Sequence, residues 1–115
     1  MHEYSIVQAL LAQVEAEARR REASAIHRLQ VSIGQLSGVE VDLLRTAYEV
    51  FREGTPCEGA PLSIVTVPAR WACSRCEGPI AAGTLLRCPE CGAPARLAAG
   101  DEIVLERIEM EVPGV

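Results

Sequence analysis

The chain contains no lysine; all 11 of its basic residues are arginines. That absence excludes Schiff-base chemistry and the phosphate-loop lysine of nucleotide-binding folds. Aromatic side chains are nearly missing too, with only Tyr4, Tyr48, Phe51 and Trp71 present, so the core has to be aliphatic and small. No hydrophobic run approaches the roughly 20 residues of a membrane span. The longest uncharged stretches, such as Tyr4 to Val14 and Gly59 to Ala69, are about half that length. Excess positive charge is also lacking. Against 11 bases stand 16 acids, for a net charge of -5, which removes the electrostatic reason to bind nucleic acid or an anionic membrane. The opening Met1-His2-Glu3 lacks the basic start of a secretory signal, so a cytoplasmic protein is expected. The 115 residues allow one compact domain, or a small domain with a smaller appendage. They are too few for a barrel enzyme. No set of nucleophile, base and orienting group stands out, and the expectation is a protein that is not an enzyme.

What is present falls into a simple order. Ser5 and Gln8 have capping-box spacing, and Ile6/Val7, Leu10, Leu11, Val14 and Ala18 follow at helical period. With Ser5 as the cap, Met1 to Tyr4 would be a short free tail. Leu29, Val31 and Ile33 alternate with Arg28, Gln30 and Ser32, predicting a half-buried strand. Ser37 and Glu40 repeat the capping-box signal ahead of Leu43, Leu44, Ala47, Tyr48 and Phe51, a second helix that Gly54 and Pro56 stop. Leu62 to Val67 is β-branched and reads as a strand. Ile103 to Val112 reads as another, with its alternation broken at Glu106, where a bulge would shift the register. Between these strands the segment 70–96 is rich in Gly, Pro and Cys and has no period. The expected fold is α+β: a small three-stranded sheet with two helices and an inserted four-cysteine zinc-ribbon module. Its parts are residues 1–69, the module 70–96, and a final strand 97–115 that returns to the first part.

Five cysteines resolve into four plus one. Cys73-Ser-Arg-Cys76 and Cys88-Pro-Glu-Cys91 are two Cys-x-x-Cys pairs with eleven residues between them. Each pair can turn both sulfurs onto one ion, and two such turns give the thiolate tetrahedron of a closed structural zinc site. Gly92 permits the positive φ such a turn needs. In a reducing compartment this chemistry ranks ahead of disulfides. Four arginines (70, 75, 87, 96) against Glu77 and Glu90 give the module +2, which the formal -2 of a four-thiolate zinc cancels. Cys57 stands apart and reads as a small semi-buried residue. His27 reads as a polar edge residue.

The amino terminus offers a second donor set. A free amine on Met1, the backbone nitrogens of residues 2 and 3, and the His2 imidazole can lie near one plane, an all-nitrogen set suited to Ni²⁺ or Cu²⁺. A helix N-terminus repels cations, and deprotonated amides would offset that. Nothing in the spacing alone selects this reading over an idle terminal histidine.

A resemblance does select it. Met1-His2-Glu3-Tyr4-Ser5-Ile6, Ile33-Gly34-Gln35-Leu36-Ser37-Gly38-Val39, Glu53-Gly54-Thr55, Glu58-Gly59-Ala60 with Leu62 and Ile64, the paired cysteines and Ile108-Glu109-Met110-Glu111 keep their order along the chain. Together they resemble the HypA/HybF family of nickel-incorporation proteins for hydrogenase maturation. The resemblance implies a nickel metallochaperone with one transported Ni²⁺ at Met1, His2 and Glu3 and one structural Zn²⁺ at Cys73, Cys76, Cys88 and Cys91. It implies that His2 gives its imidazole, Met1 its amine and residues 2 and 3 their peptide nitrogens, with the Glu3 side chain a neighbouring modulator. Glu40 reads as a capping carboxylate, a place near the tail being the other reading. The implied partners are a GTP-hydrolysing, HypB-like maturation protein, the nickel–iron hydrogenase large subunit and, in some lineages, urease maturation factors, around a monomer or homodimer. No histidine lies inside the module, so family behaviour needing an imidazole there lacks its residue in this chain. Two further readings stand beside it. One is a zinc-ribbon module for protein or nucleic-acid interaction, resting on the cysteines alone. The other is a thiol redox protein or zinc sensor.

Overall fold

The computed structural model describes residues 2–81 and 85–114, apart from the His2 side chain. Val7, Leu10, Leu11, Val14 and Ala18 share one helical stripe and are all buried, and they carry α1 (His2–Arg20). Glu17 sits opposite and binds Arg20 and Arg21 on the solvent side. The strand β1 (Ala25–Gly34) follows, with Ile26, Leu29, Val31 and Ile33 buried. The consecutive residues His27 and Arg28 are both exposed, which interrupts its alternation.

The helix α2 (Val41–Phe51) connects β1 to β2 (Leu62–Val67). Leu29 N–H donates to the Pro61 carbonyl and Gln35 N–H to that of Val67, so β1 and β2 advance together as a parallel pair with α2 as their crossover. After the module, β6 (Ile103–Glu111) returns on the other side of β1. Ser24 N–H reaches the Glu111 carbonyl and Gly34 N–H that of Glu102, which makes this pairing antiparallel. The sheet order is β2-β1-β6. Gly34 is required by close approach, because a Cβ there would stand 2.2 Å from the Gly100 carbonyl carbon.

The chain divides into two compact units. One comprises Met1–Ser32, Val39–Val65 and Val104–Val115, the other Ile33–Gly38 and Thr66–Ile103. In the first, α1 and α2 pack together, and Leu44, Ala47, Tyr48 and Cys57 complete the aliphatic core. The Tyr48 hydroxyl donates to the Ala60 carbonyl at 2.7 Å, and Arg52 donates to the same oxygen at 2.9 Å. In the second unit, β3 (Arg70–Cys73), β4 (Pro79–Ile80) and β5 (Ala95–Ala99) form a small antiparallel sheet in the order β4-β3-β5. Trp71 and Ala95 pack over Cys73, Ile80, Cys88 and Ala93.

Four expectations need correction. Glu3 and Tyr4 are not a free tail: α1 already runs from His2. Its first turn has tertiary partners, for Glu3 is buried and the Tyr4 ring meets Phe51 edge-on at 5.4 Å. Second, Ser37 does not cap α2. The cap position is Glu40, whose own side chain makes no capping hydrogen bond. Third, Leu43, expected on the buried stripe, is exposed, while Leu44, Ala47 and Tyr48 are buried. Finally, the module contains three strands that its sequence does not announce. Glu106, the expected bulge site, accepts a hydrogen bond from the buried Ser32 hydroxyl at 2.7 Å.

Candidate metal centre

Two turns with one hydrogen-bond pattern build the cysteine cluster. In the first, Cys73 N–H donates to the Gly78 carbonyl and Glu77 N–H to that of Cys73; in the second, Cys88 N–H donates to the Ala93 carbonyl and Gly92 N–H to that of Cys88. Residues in equivalent positions, Glu77 and Gly92, take positive φ of 60° and 74°. Glycine adopts that conformation without strain, but a side chain does so at a cost. Gly92 is readable from the sequence and Glu77 is not. The one available signal is that both lie four residues after the first cysteine of their pair.

The turns aim their sulfurs at one another. Cys73 Sγ lies 3.3 Å from Cys91 Sγ, and Cys76 Sγ lies 3.6 Å from Cys88 Sγ and 3.9 Å from Cys91 Sγ. All four sulfurs lie within 4.8 Å of one another. A tetrahedral zinc with bonds of about 2.3 Å has ligand sulfurs about 3.8 Å apart, so the four thiols fit that ion. Zinc held by Cys73, Cys76, Cys88 and Cys91 would lock the two turns together, with no fifth position for water.

The cluster is electrostatically prepared for a cation. Cys73 Sγ accepts the N–H groups of Arg75 and Cys76 at 3.3 Å each. With the Cys76 amide contributing most and Arg75 next, its pKa is pushed down to about 6. The amides of Cys91 and Glu90 lower Cys88 in the same way. Cys76 goes the other way, up to about 12, chiefly through its hydrogen bond with Cys73. At Cys91 the Ala93 amide pulls down, but Cys73, burial and Cys88 together outweigh it and raise the pKa. Each turn therefore contributes one buried, readily ionised sulfur (Cys73, Cys88) and one exposed sulfur (Cys76, Cys91) that ionises only when a cation compensates it.

Among the described residues no other group of three or more His, Cys, Asp or Glu side chains is drawn together. Cys57 is fully buried in the helical unit, with its pKa raised by desolvation, and it does not join the cluster. His27 Nε2 stands 3.3 Å from an exposed Glu111 carboxylate oxygen.

Met1 and the His2 side chain lie outside the described residues. The described part of the expected nickel terminus is the start of α1. First-turn amides have no carbonyl four residues back, so withdrawing their protons breaks no helical ladder bond. Glu3 has a defined task there. Its carboxylate accepts the Glu40 N–H at 3.1 Å, capping α2 from another helix. That amide, followed by Glu3's own, brings its pKa down to about 2. Sequence reasoning assigned the cap to Glu40 itself; it is Glu3 that supplies the carboxylate and Glu40 the amide.

Comparison with known proteins follows from this geometry. The family profile described as "Hydrogenase/urease nickel incorporation, metallochaperone, hypA" matches residues 1–110. The hydrogenase maturation factor HypA of Aquifex aeolicus is 39% identical over 114 residues, covering 97% of this chain and 99% of that protein. The protein of the same name from Acidithiobacillus ferrooxidans is 35% identical over 113 residues, covering 96% of this chain and 100% of its own length. The solution structure of the Ni metallochaperone HypA from Helicobacter pylori superposes with a TM-score of 0.74 at 32% identity, covering 96% of this chain and 97% of that one.

Proposed function

The chain belongs to the HypA family of hydrogenase/urease nickel-incorporation metallochaperones, and we propose that its Met1 amine, His2 imidazole and the peptide nitrogens of His2 and Glu3 take up one Ni²⁺ while Cys73, Cys76, Cys88 and Cys91 hold one structural Zn²⁺. It is a nickel metallochaperone of hydrogenase maturation. The observation that carries the nickel assignment is Met-His-Glu at the opening of a helix, where the donor amides lie outside the helical ladder.

Each group has a physical task in that reading. The imidazole and the terminal amine are neutral donors. The two amide nitrogens lose their protons on binding, and their negative charge offsets the positive end of the α1 dipole. The Glu3 carboxylate, fixed on the Glu40 amide, adds negative charge beside the site without being a ligand. A site at the chain end is open to attack by a partner's ligands, so nickel can leave by exchange and no substrate is turned over. Zinc, closed by four sulfurs, keeps the shape of the module. In this reading residues 1–69 and 97–115 form the nickel-binding domain and 70–96 the zinc module. The partners are a GTP-hydrolysing HypB-like maturation protein, the large subunit of a nickel–iron hydrogenase and urease maturation factors, met in the cytoplasm. Among the described residues no helix is long and apolar enough to cross a membrane.

Nickel titration of untagged protein tests the assignment against His2→Ala and against protein extended before Met1. Both changes are expected to abolish tight binding of one Ni²⁺ while zinc stays bound. Unchanged nickel binding in both variants overturns it.

A further inference from the structure

The four sulfurs of the cysteine cluster are not equivalent. Cys73 and Cys88 are buried in a small cluster with Ile80 and Ala93, against which Trp71 and Ala95 pack. Cys76 and Cys91 are exposed. Residues 74–77 and 89–92, which surround these two in sequence, are exposed throughout. Each turn therefore places its first sulfur under the apolar cover and its second in water.

The backbone sharpens this division. Two amides hold Cys73 Sγ, those of Arg75 and Cys76, at 3.3 Å each. Cys88 likewise has the amides of Glu90 and Cys91. Cys76 and Cys91 have one each, from Gly78 and Ala93. A sulfur that leaves the set to bond elsewhere forfeits such hydrogen bonds, so the buried pair has more to lose. The two exposed sulfurs come from different turns and lie 3.9 Å apart. Cys73 stands nearer to Cys91, at 3.3 Å, but its cover and its two amides keep it in place. A reagent dissolved in water meets Cys76 and Cys91 first.

We propose that Cys76 and Cys91 are a peroxide-sensitive pair, oxidised to a disulfide that bridges the two turns and releases zinc while Cys73 and Cys88 stay reduced. The proposal rests on zinc held at the four cysteines, and its oxidant is a hydroperoxide. One exposed thiolate attacks a peroxide oxygen: the S–O bond forms, the O–O bond breaks, and the departing hydroxide takes a proton to become water. The other thiolate attacks the resulting sulfenic sulfur: the S–S bond forms, the S–O bond breaks, and a second hydroxide is protonated to water. The sulfurs lose two electrons and the peroxide oxygens gain them. Zinc is left with Cys73 and Cys88 and passes to any competing chelator. The new bond joins the same two turns that the ion joined, so β3, β4 and β5 stay packed. A dithiol reductant then returns the four thiols to a site that recharges with zinc. Cys57, fully buried in the helical unit, takes no part.

One equivalent of hydrogen peroxide added to the zinc-loaded, nickel-free full chain tests this. Zinc release is read with a chromogenic chelator, disulfides by peptide mapping after alkylation, and backbone protection by hydrogen exchange. Release is expected to quicken about tenfold or more over the untreated chain, with one ion freed per disulfide formed. Cys76–Cys91 is expected to be the dominant bond, with Cys57, Cys73 and Cys88 recovered as free thiols. The amides of β3, β4 and β5 keep their protection, and dithiothreitol with added zinc restores the starting state. A first disulfide within one turn, or one that includes Cys73 or Cys88, overturns the proposal. So does zinc retained after oxidation, or loss of protection in the three strands. A chain that takes up no zinc before peroxide is added overturns the zinc assignment as well.

Discussion

In the cysteine module each turn closes on its own backbone within six residues, from Cys73 to Gly78 and from Cys88 to Ala93. At the amino terminus, by contrast, Glu3 reaches across 37 positions to the amide of Glu40. The first arrangement is local and repeated, so its geometry is set by short-range chemistry, and the two turns already face one another with all four sulfurs within 4.8 Å. The second is a single helical turn whose order depends on another helix. In the reading proposed above, a closed zinc site keeps its metal and an open nickel site releases one, and the two arrangements suit those two tasks. A local turn resists exchange, whereas the first turn of α1 is held through the Glu3 carboxylate and the Tyr4–Phe51 ring contact, both of which depend on distant residues.

The sharpest way to break the comparison is to remove one sulfur. Structural zinc binding is worth about 10–16 kcal/mol in small zinc modules. Cys88→Ser should forfeit most of it, because a buried, readily ionised thiolate leaves the set. Zinc content is expected to drop and the amides of β3, β4 and β5 to lose protection, while those of α1 persist on its own buried stripe. Residue-resolved NMR with metal analysis reads both. Uniform unfolding of the chain would contradict two units with separate support, and a folded module without zinc would contradict the metal's structural role.

A smaller change compares the two turns with each other. Glu77 holds φ of 60° where its counterpart is Gly92. A side chain in the left-handed region costs roughly 1–2 kcal/mol, part of which glycine's unfolded-state entropy takes back. The exposed Arg96–Glu77 pair at 3.6 Å adds little. Glu77→Gly is therefore expected to stabilise the zinc-loaded module by about 1 kcal/mol, measured by denaturant unfolding at fixed zinc. A loss of stability would mean that the Arg96 pair outweighs the backbone strain.

These cases also show which features were legible in the sequence. The cysteine pairs declare themselves because their spacing is local chemistry, and α1, α2, β1, β2 and β6 because each repeats an apolar pattern over enough residues. The strands β3, β4 and β5 have 4, 2 and 5 residues, too short to establish a period, and the cysteine turns between them set their pairing. Leu43 was misplaced because helical periodicity leaves the edge of a stripe undetermined, and packing put Leu44 inside instead. Ser37 and Glu40 match a capping box that is not made, since a carboxylate from α1 takes the amide that the local motif would have used. No local rule can detect a bond between residues 3 and 40.

That bond gives the smallest and most specific effect. The Glu3 pKa is lowered in the folded chain from 4.5 to about 2, first by the Glu40 amide. Ionised Glu3 binds that amide better than the protonated acid, so its stabilisation is complete above pH 4.5 and is lost as the pH falls toward 2. The Glu40 amide shift in wild-type protein should accordingly titrate with a midpoint near pH 2, and in Glu3→Gln it should stay flat through the same range. Reading one amide keeps this signal apart from zinc loss in acid, which acts on the cysteine turns. The same variant probes the proposed nickel terminus. Removing one negative charge from the positive end of α1 is expected to weaken nickel binding about two- to fivefold, against the complete loss expected for His2→Ala. A loss as large as that of His2→Ala would make Glu3 a ligand instead of a neighbour, and its carboxylate would then have to leave the Glu40 amide whenever nickel binds.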